Sequence, residues 1–200
     1  MILLSSNAQN IFWLGRYLTR THHLCGQFPF IQDDEASEYS RAFCLSSFDA
    51  ASLNALVMDT TQPCSFHQQF ECAKSNVQDL RGILSAKAYA ELNQLIKNAH
   101  DNVGLICDAV DECQDILEAE SQEIFLFFSL GQCIEQLDRQ IRLGQDESAS
   151  LSHIEYIVLE LVKMGWTNLE KPWFQLKTLP DSINFYQFSD QILQMFEVDA

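Results

Sequence analysis

Turn-forming residues are scarce in this sequence: four prolines and seven glycines are spread over 200 residues. A β-sandwich or barrel needs a turn signal roughly every 8–12 residues, so both are excluded and helices are favoured. Basic residues are also few, with 12 Lys and Arg against 28 Asp and Glu, for a formal charge of −16. Nucleic-acid affinity depends on Lys and Arg displacing phosphate counterions, so DNA and RNA are excluded as partners. No apolar run approaches the roughly 20 residues that cross a bilayer. The opening MILLSSNAQNIFWLGRYL lacks a basic leader and is interrupted by polar residues, so the expectation is a cytoplasmic protein without a membrane partner.

Several chemical signatures are missing as well. The seven cysteines, Cys25, Cys44, Cys64, Cys72, Cys107, Cys113 and Cys133, are odd in number and contain no Cys-x-x-Cys pair. That argues against a disulfide framework or zinc ribbon and predicts reduced thiols acting as small buried hydrophobes. No Glu-x-x-His occurs, which di-iron bundles require. His22 and His23 are adjacent and point to different sides of a helix, while His67, His100 and His153 stand alone. Paired acids such as Asp33/Asp34/Glu35, Asp111/Glu112 and Glu118/Glu120 lack a recognisable ligand spacing and read as solvated surface. With no Gly-rich phosphate loop and no Gly-x-Ser-x-Gly elbow, the sequence offers no catalytic residue, metal or cofactor.

What is present is apolar material, 47% of the chain, enough for one substantial core in a single domain spanning 1–200. Ser6 and Gln9 have capping-box spacing and predict a helix over about 7–28, closed by Pro29. Along it Ile11, Leu14, Leu18, Thr21, Cys25 and Phe28 form one stripe, with Trp13, Tyr17 and Leu24 beside it. A helical pattern over 36–58 breaks near Phe48 and Asp49, and Ser65/Gln68 opens the next helix. The region 86–117 reads as one long helix or two, with Gly104 marking a bend. A second strongly apolar helix covers about 122–143 and stops at Gly144. Ser152/Glu155 is expected to box a helix ending at Gly165. The aromatic C-terminal segment, 166–200, ends in a helix near 181–196 that straps over the bundle. The fold class is therefore all-α, a multi-helix bundle with two quasi-repeated central helices.

The repeat is visible when Asn10–Leu24 is set beside Leu126–Gln140, which places Leu14-Gly15 on Leu130-Gly131. Glycine inside a helix costs about 1 kcal/mol relative to alanine, so two such glycines point to a close approach of two backbones. These segments resemble the alpha-E domain family, whose members carry motifs like LGRYLERAE near the N-terminus and again later. The matching residues are Leu14-Gly15-Arg16-Tyr17-Leu18-Thr19-Arg20, preceded by Asn10 and Trp13, and Leu130-Gly131-Gln132-Cys133-Ile134-Glu135-Gln136, followed by Asp138 and Arg142. Between them, the stretch from Cys72 to Arg81, with Lys74 and Asn76, is similar to a third family segment. The resemblance is strongest over the first 25 residues. The family's Glu-Arg pair survives as Thr19-Arg20 in one copy and Glu135-Gln136 in the other, so each copy keeps one partner.

Arg16 and Arg20 share a helical face beside Trp13 and Tyr17, where an arginine fork can hold a carboxylate or phosphate, or pair with acids of a neighbouring helix. One specific expectation is that Arg16 or Arg20 pairs with Glu135 across the two motif helices. The resemblance implies a helical accessory or scaffold protein that accompanies ATP-grasp ligase-like and transglutaminase-like proteins in peptide synthesis or modification in bacteria. Its partner- or substrate-binding residues would be Trp13, Arg16, Tyr17, Arg20, Lys74, Asn76 and Glu135, with Gly15 and Gly131 structural. Two alternatives stand beside it. One is an enzyme on an acidic peptide-like substrate, with Arg16 and Arg20 binding and Glu135 as general base; the other is a homodimer built on the exposed side of the aromatic tail.

Overall fold

A computed structural model describes residues 3–99 and 102–197. Among them are ten α-helices, one 3-10 turn and no strand. The two longest helices, α1 (Ser5–Gln27) and α7 (Gln122–Leu143), are the motif helices, and each is the other's main partner. Their apolar stripes bury Ile11, Phe12, Leu14 and Leu18 from one side and Phe127, Phe128, Leu130 and Ile134 from the other, all at most 1% exposed. Each such side chain contributes roughly 1.5–3 kcal/mol by leaving water.

The helices cross at the two glycines, and the contact is reciprocal. A Cβ placed on Gly15 would lie 2.3 Å from the Phe128 carbonyl oxygen, and one on Gly131 would lie 2.1 Å from that of Phe12. In each helix the apposed carbonyl belongs to the phenylalanine three residues before the glycine, so the two copies of Phe-x-x-Gly grip each other symmetrically.

The remaining helices wrap this pair. After α2 (Asp33–Ala42) and α3 (Ala50–Met58), α4 (Phe66–Asp79) packs on α1. A packed pair follows, α5 (Ala86–Ala99) and α6 (Val103–Glu118), with α6 also touching α1 and α7. Then come α8 (Ser148–Lys163), a 3-10 turn (Thr167–Leu169), α9 (Glu170–Thr178) and α10 (Ser182–Glu197). Buried apolar residues from Leu3 to Phe196 form one contiguous cluster. Phe196 of α10 reaches both Phe12 and Phe127, with ring centroids at 5.7 and 5.9 Å, so the tail does strap the crossing. Trp173, Phe185 and Phe188 are buried with it, whereas Phe174 is 71% exposed.

Several local expectations change. Ser6 and Gln9 do not cap α1, which starts at Ser5 after Leu4 without a side-chain cap. Ser152 and Glu155 lie inside α8, whose N-cap is Glu147. Asp49, in contrast, makes a full capping box with Ser52, fixing the break between α2 and α3. The 86–117 region is two helices, and the second starts on the Asn102 cap rather than bending at Gly104. Gly144 closes α7 in the left-handed region at φ 60°.

The cysteine reading needs a larger correction. Cys25 at the end of α1 is disulfide-bonded to Cys107 on α6. Positions 82 residues apart become neighbours only because α6 lies along α1, which no spacing rule reveals. The same seam holds His22 against Asp111 at 2.7 Å. A disulfide is not the expected state in a reducing compartment, so the cysteines lend no support to a cytosolic reading. Of the free thiols, Cys113 is fully buried and pushed up to about 12 by desolvation, while Cys44 is exposed. No helix among the described residues is long and apolar enough to cross a membrane.

Candidate functional site

Four positions along one face of α1 decide the site. Trp13, Arg16, Tyr17 and Arg20 follow the three- and four-residue steps of a helix, and α7 presents Glu135 one turn beyond its crossing glycine. The consequence is a buried ion cluster. Arg20 binds Glu135 in a fork, Nε to Oε1 at 2.6 Å and Nη2 to Oε2 at 2.8 Å, while Arg16 donates from Nε to Oε2 at 3.0 Å. The Glu135 side chain is 5% exposed. Burial alone would raise its pKa, but hydrogen bonds and charge from both arginines hold the carboxyl below its ordinary range. Trp13 and Tyr17 stack on each other at 5.7 Å, and the Arg16 guanidinium lies over Trp13 at 5.0 Å and that of Arg20 over Tyr17 at 5.9 Å. Burial and a contact with Cys72 of α4 raise the Tyr17 phenol, so it stays neutral.

Five of the seven expected binding residues therefore meet, and the arginine–glutamate pairing between motif helices is present. Among the described residues, no hydrogen bond or ion pair links the other two to them. Lys74 pairs with Glu71 on its own helix at 3.0 Å. The amide nitrogen of Asn76 is buried without a hydrogen-bond partner.

A cavity of about 320 Å³ opens beside the cluster, between α1, α2, the start of α4 and α7. Arg20, Arg139 and Arg142 line it together with Glu135 and Asp138. Two of these arginines are already committed. Arg20 holds Glu135, and Arg142 donates to Asp138 at 2.8 Å, to the Ala42 carbonyl at 3.0 Å and to the Tyr186 hydroxyl at 2.8 Å. Arg139 has no carboxylate partner among the described residues. Its Nη1 makes a long 3.3 Å bond to Gln145, and its Nε is buried without a partner.

His23 and Tyr39 complete the polar wall. Burial, then the charge of Arg139, pushes the His23 imidazole down to about 4, and its Nε2 is buried without a partner. Burial likewise pushes the Tyr39 phenol up to about 12. Both remain neutral near pH 7, so Arg139 adds a positive charge without a carboxylate partner beside a cluster in which two arginines share Glu135. Arg142 was legible as a residue following the second motif, and Arg139 lies on the preceding turn of the same helix; no sequence signal points to His23 or Tyr39 as their companions.

The His23 shift makes a stability prediction. Its folded pKa lies below the unfolded value near 6.5, so as pH falls below 6.5 the unfolded chain takes up a proton that the folded chain refuses. Stability should drop by about 2 kcal/mol between pH 7 and pH 5 from this group. Glu135 acts in a separate window, because its contribution is present above the unfolded carboxylate pKa and declines only at lower pH. Urea titrations of wild type and His23→Asn at pH 7 and pH 5 test this: equal pH dependence in the two proteins would rule it out.

Among the described residues, no group of three or more His, Cys, Asp or Glu side chains is placed to hold a metal ion; His100 lies outside those residues. What the site offers is a set of N–H donors around one open cationic position. Among curated proteins and solved structures, none matches the chain. A family model does: Alpha-E, described as a predicted alpha-helical domain with a conserved ER motif, matches residues 30–169. The match starts after α1, where the sequence resemblance is strongest, and runs through Glu135 and the second motif helix to the end of the 3-10 turn. With most of its length inside that model and a fold made entirely of helices, the chain belongs to the Alpha-E family.

Proposed function

We propose that this domain is a non-catalytic binding module that seats an acidic group of a peptide in the cavity beside the α1–α7 crossing. It would serve there as accessory to an ATP-grasp ligase-like or transglutaminase-like protein that makes or modifies that peptide. The observation that carries the binding reading is Arg139, a cavity-lining guanidinium with a buried, unpartnered Nε in a protein of net charge −16. A peptide carboxylate answers the charge of the Arg139 guanidinium, and the neutral His23 and Tyr39 add hydrogen-bonding capacity without repelling it. The partner is carried by the family resemblance.

The enzyme reading required Glu135 as base. Glu135 does border the cavity, but its two oxygens already accept three N–H bonds, and its pKa is held low. A carboxylate so stabilised is a poor proton acceptor near neutral pH. A peptide bound here meets donors rather than a base.

Calorimetric titration with acetyl-Gly-Gly-Glu and the neutral acetyl-Gly-Gly-Gln-amide tests the proposal. Wild type should prefer the acidic peptide by about tenfold or more. Arg139→Gln should erase about tenfold of that affinity, in line with a charged hydrogen bond of roughly 1.5–3 kcal/mol. Equal affinity for both peptides, or no binding of either, overturns it.

A further inference from the structure

The cavity beside the α1–α7 crossing has walls of two kinds, and they come from different parts of the chain. Its charged residues, among them Arg20, Glu135, Arg139 and Arg142, stand on α1 and α7. The apolar side chains of Phe43, Leu45, Val57 and Pro63 come from the stretch between the end of α2 and the start of α4. Phe43 and Leu45 are only half-buried, so this wall keeps apolar surface that the protein's own core leaves uncovered. The two walls meet at Arg142, whose guanidinium lies over the Phe43 ring at 5.7 Å and donates to the Ala42 carbonyl at 3.0 Å. Arg139 stands one turn earlier on α7.

Such a site suits a ligand whose negative charge and apolar group sit side by side. In a peptide the two leave the same Cα only at the C-terminal residue, when that residue has an apolar side chain. The side-chain carboxylates of Asp and Glu bring no apolar group of their own. Size points the same way. At about 320 Å³ the cavity is at the small end of ligand sites, which run from about 300 to 1,000 Å³, so it holds one residue rather than a long acyl chain.

We propose that the cavity takes the C-terminal residue of a peptide, with its α-carboxylate on Arg139 and an apolar side chain of leucine size on Phe43, Leu45, Val57 and Pro63. The inference rests on the carboxylate reading of this cavity and specifies which carboxylate it is and which kind of residue bears it. Leu45 is then a specificity-determining residue, because it offers the incoming side chain apolar surface without holding any charge. Burying most of a leucine side chain there should raise affinity about tenfold over glycine.

The test is calorimetric titration of wild type and Leu45→Ser with acetyl-Gly-Gly-Leu, acetyl-Gly-Gly-Gly, acetyl-Gly-Gly-Leu-amide and acetyl-Gly-Glu-Gly-amide. Support is wild-type affinity for acetyl-Gly-Gly-Leu about tenfold above each of the others, with the leucine-to-glycine ratio falling to about threefold in Leu45→Ser. The wild-type comparisons decide the proposal even where the variant fails to fold. If wild type binds the leucine and glycine acids equally and the amide more weakly, the apolar wall is wrong while the carboxylate site stands. If acetyl-Gly-Glu-Gly-amide matches acetyl-Gly-Gly-Leu, the terminal assignment is wrong and the carboxylate site again stands. A folded Leu45→Ser protein that keeps the full ratio overturns the role of Leu45. Equal binding of acetyl-Gly-Gly-Leu and its amide, or no binding of any peptide, removes both proposals together.

Discussion

Replacing Gly131 with alanine is expected to destabilise the protein by about 3 kcal/mol, although alanine is the better helix former. Intrinsic propensity alone favours the change by roughly 1 kcal/mol. Against it stands a new methyl 2.1 Å from the Phe12 carbonyl oxygen and 3.1 Å from the Arg16 amide nitrogen. Both obstacles are backbone atoms of α1, so no rotamer change relieves them. The helices must separate by about an ångström, and every interdigitated contact along the crossing weakens with them. Overpacking of this kind typically costs 1–3 kcal/mol and more where the backbone itself must move. Gly15→Ala should behave alike, since its Cβ meets the Phe128 oxygen at 2.3 Å. Gly26 supplies the contrast within the same helix, because a Cβ there meets nothing within 4 Å. Gly26→Ala should be neutral or stabilising by up to about 1 kcal/mol. Urea midpoints of the three variants at pH 7 decide it: a Gly131→Ala protein as stable as Gly26→Ala would mean that the helices are not in backbone contact.

That crossing was the most legible part of the structure, for a physical reason. A glycine inside an apolar helical stripe has few explanations other than a close neighbour, and two glycines at matching positions of a repeat name each other as that neighbour. The apolar steps from Ile11 to Leu18 and from Ile124 to Ile134 were legible because burial imposes helical period on sequence. Caps were less so. Ser6/Gln9 and Ser152/Glu155 have the right spacing, but Leu4 precedes the first helix and Ser148 already lies in the other, since packing extends helices past a local stop that contributes only about 1 kcal/mol. The Cys25–Cys107 bond and the cavity wall were hidden for another reason. Both depend on which helices lie side by side, as when α2 brings Tyr39 to the flank of α7, and residue spacing within one helix carries no record of its neighbours.

The largest electrostatic effect should come from Glu135→Gln, expected to cost about 3–5 kcal/mol, because it leaves two guanidiniums sharing a buried site with no counter-charge. Arg16 is 11% exposed at its side chain and sits against Trp13, so it has little recourse to water. Arg20 is freer at 36% and can partly re-solvate. Arg20→Gln should therefore cost less than Glu135→Gln, since Arg16 still neutralises the carboxylate. The double variant Arg20→Gln/Glu135→Gln should cost less than the sum of the two, giving a coupling of at least about 1 kcal/mol. Urea denaturation of the four proteins at pH 7 measures it directly. If both single variants are harmless and their effects strictly additive, the cluster is surface decoration. A positive coupling has a particular meaning in this chain. The first motif keeps only the arginine of its Glu-Arg pair and the second only the glutamate, and Thr19, at the position matching Glu135, has a buried hydroxyl with no partner. The crossing glycines set the two helices close enough for the surviving halves to act as one pair, and the cavity beside it is left with Arg139 as its open charge.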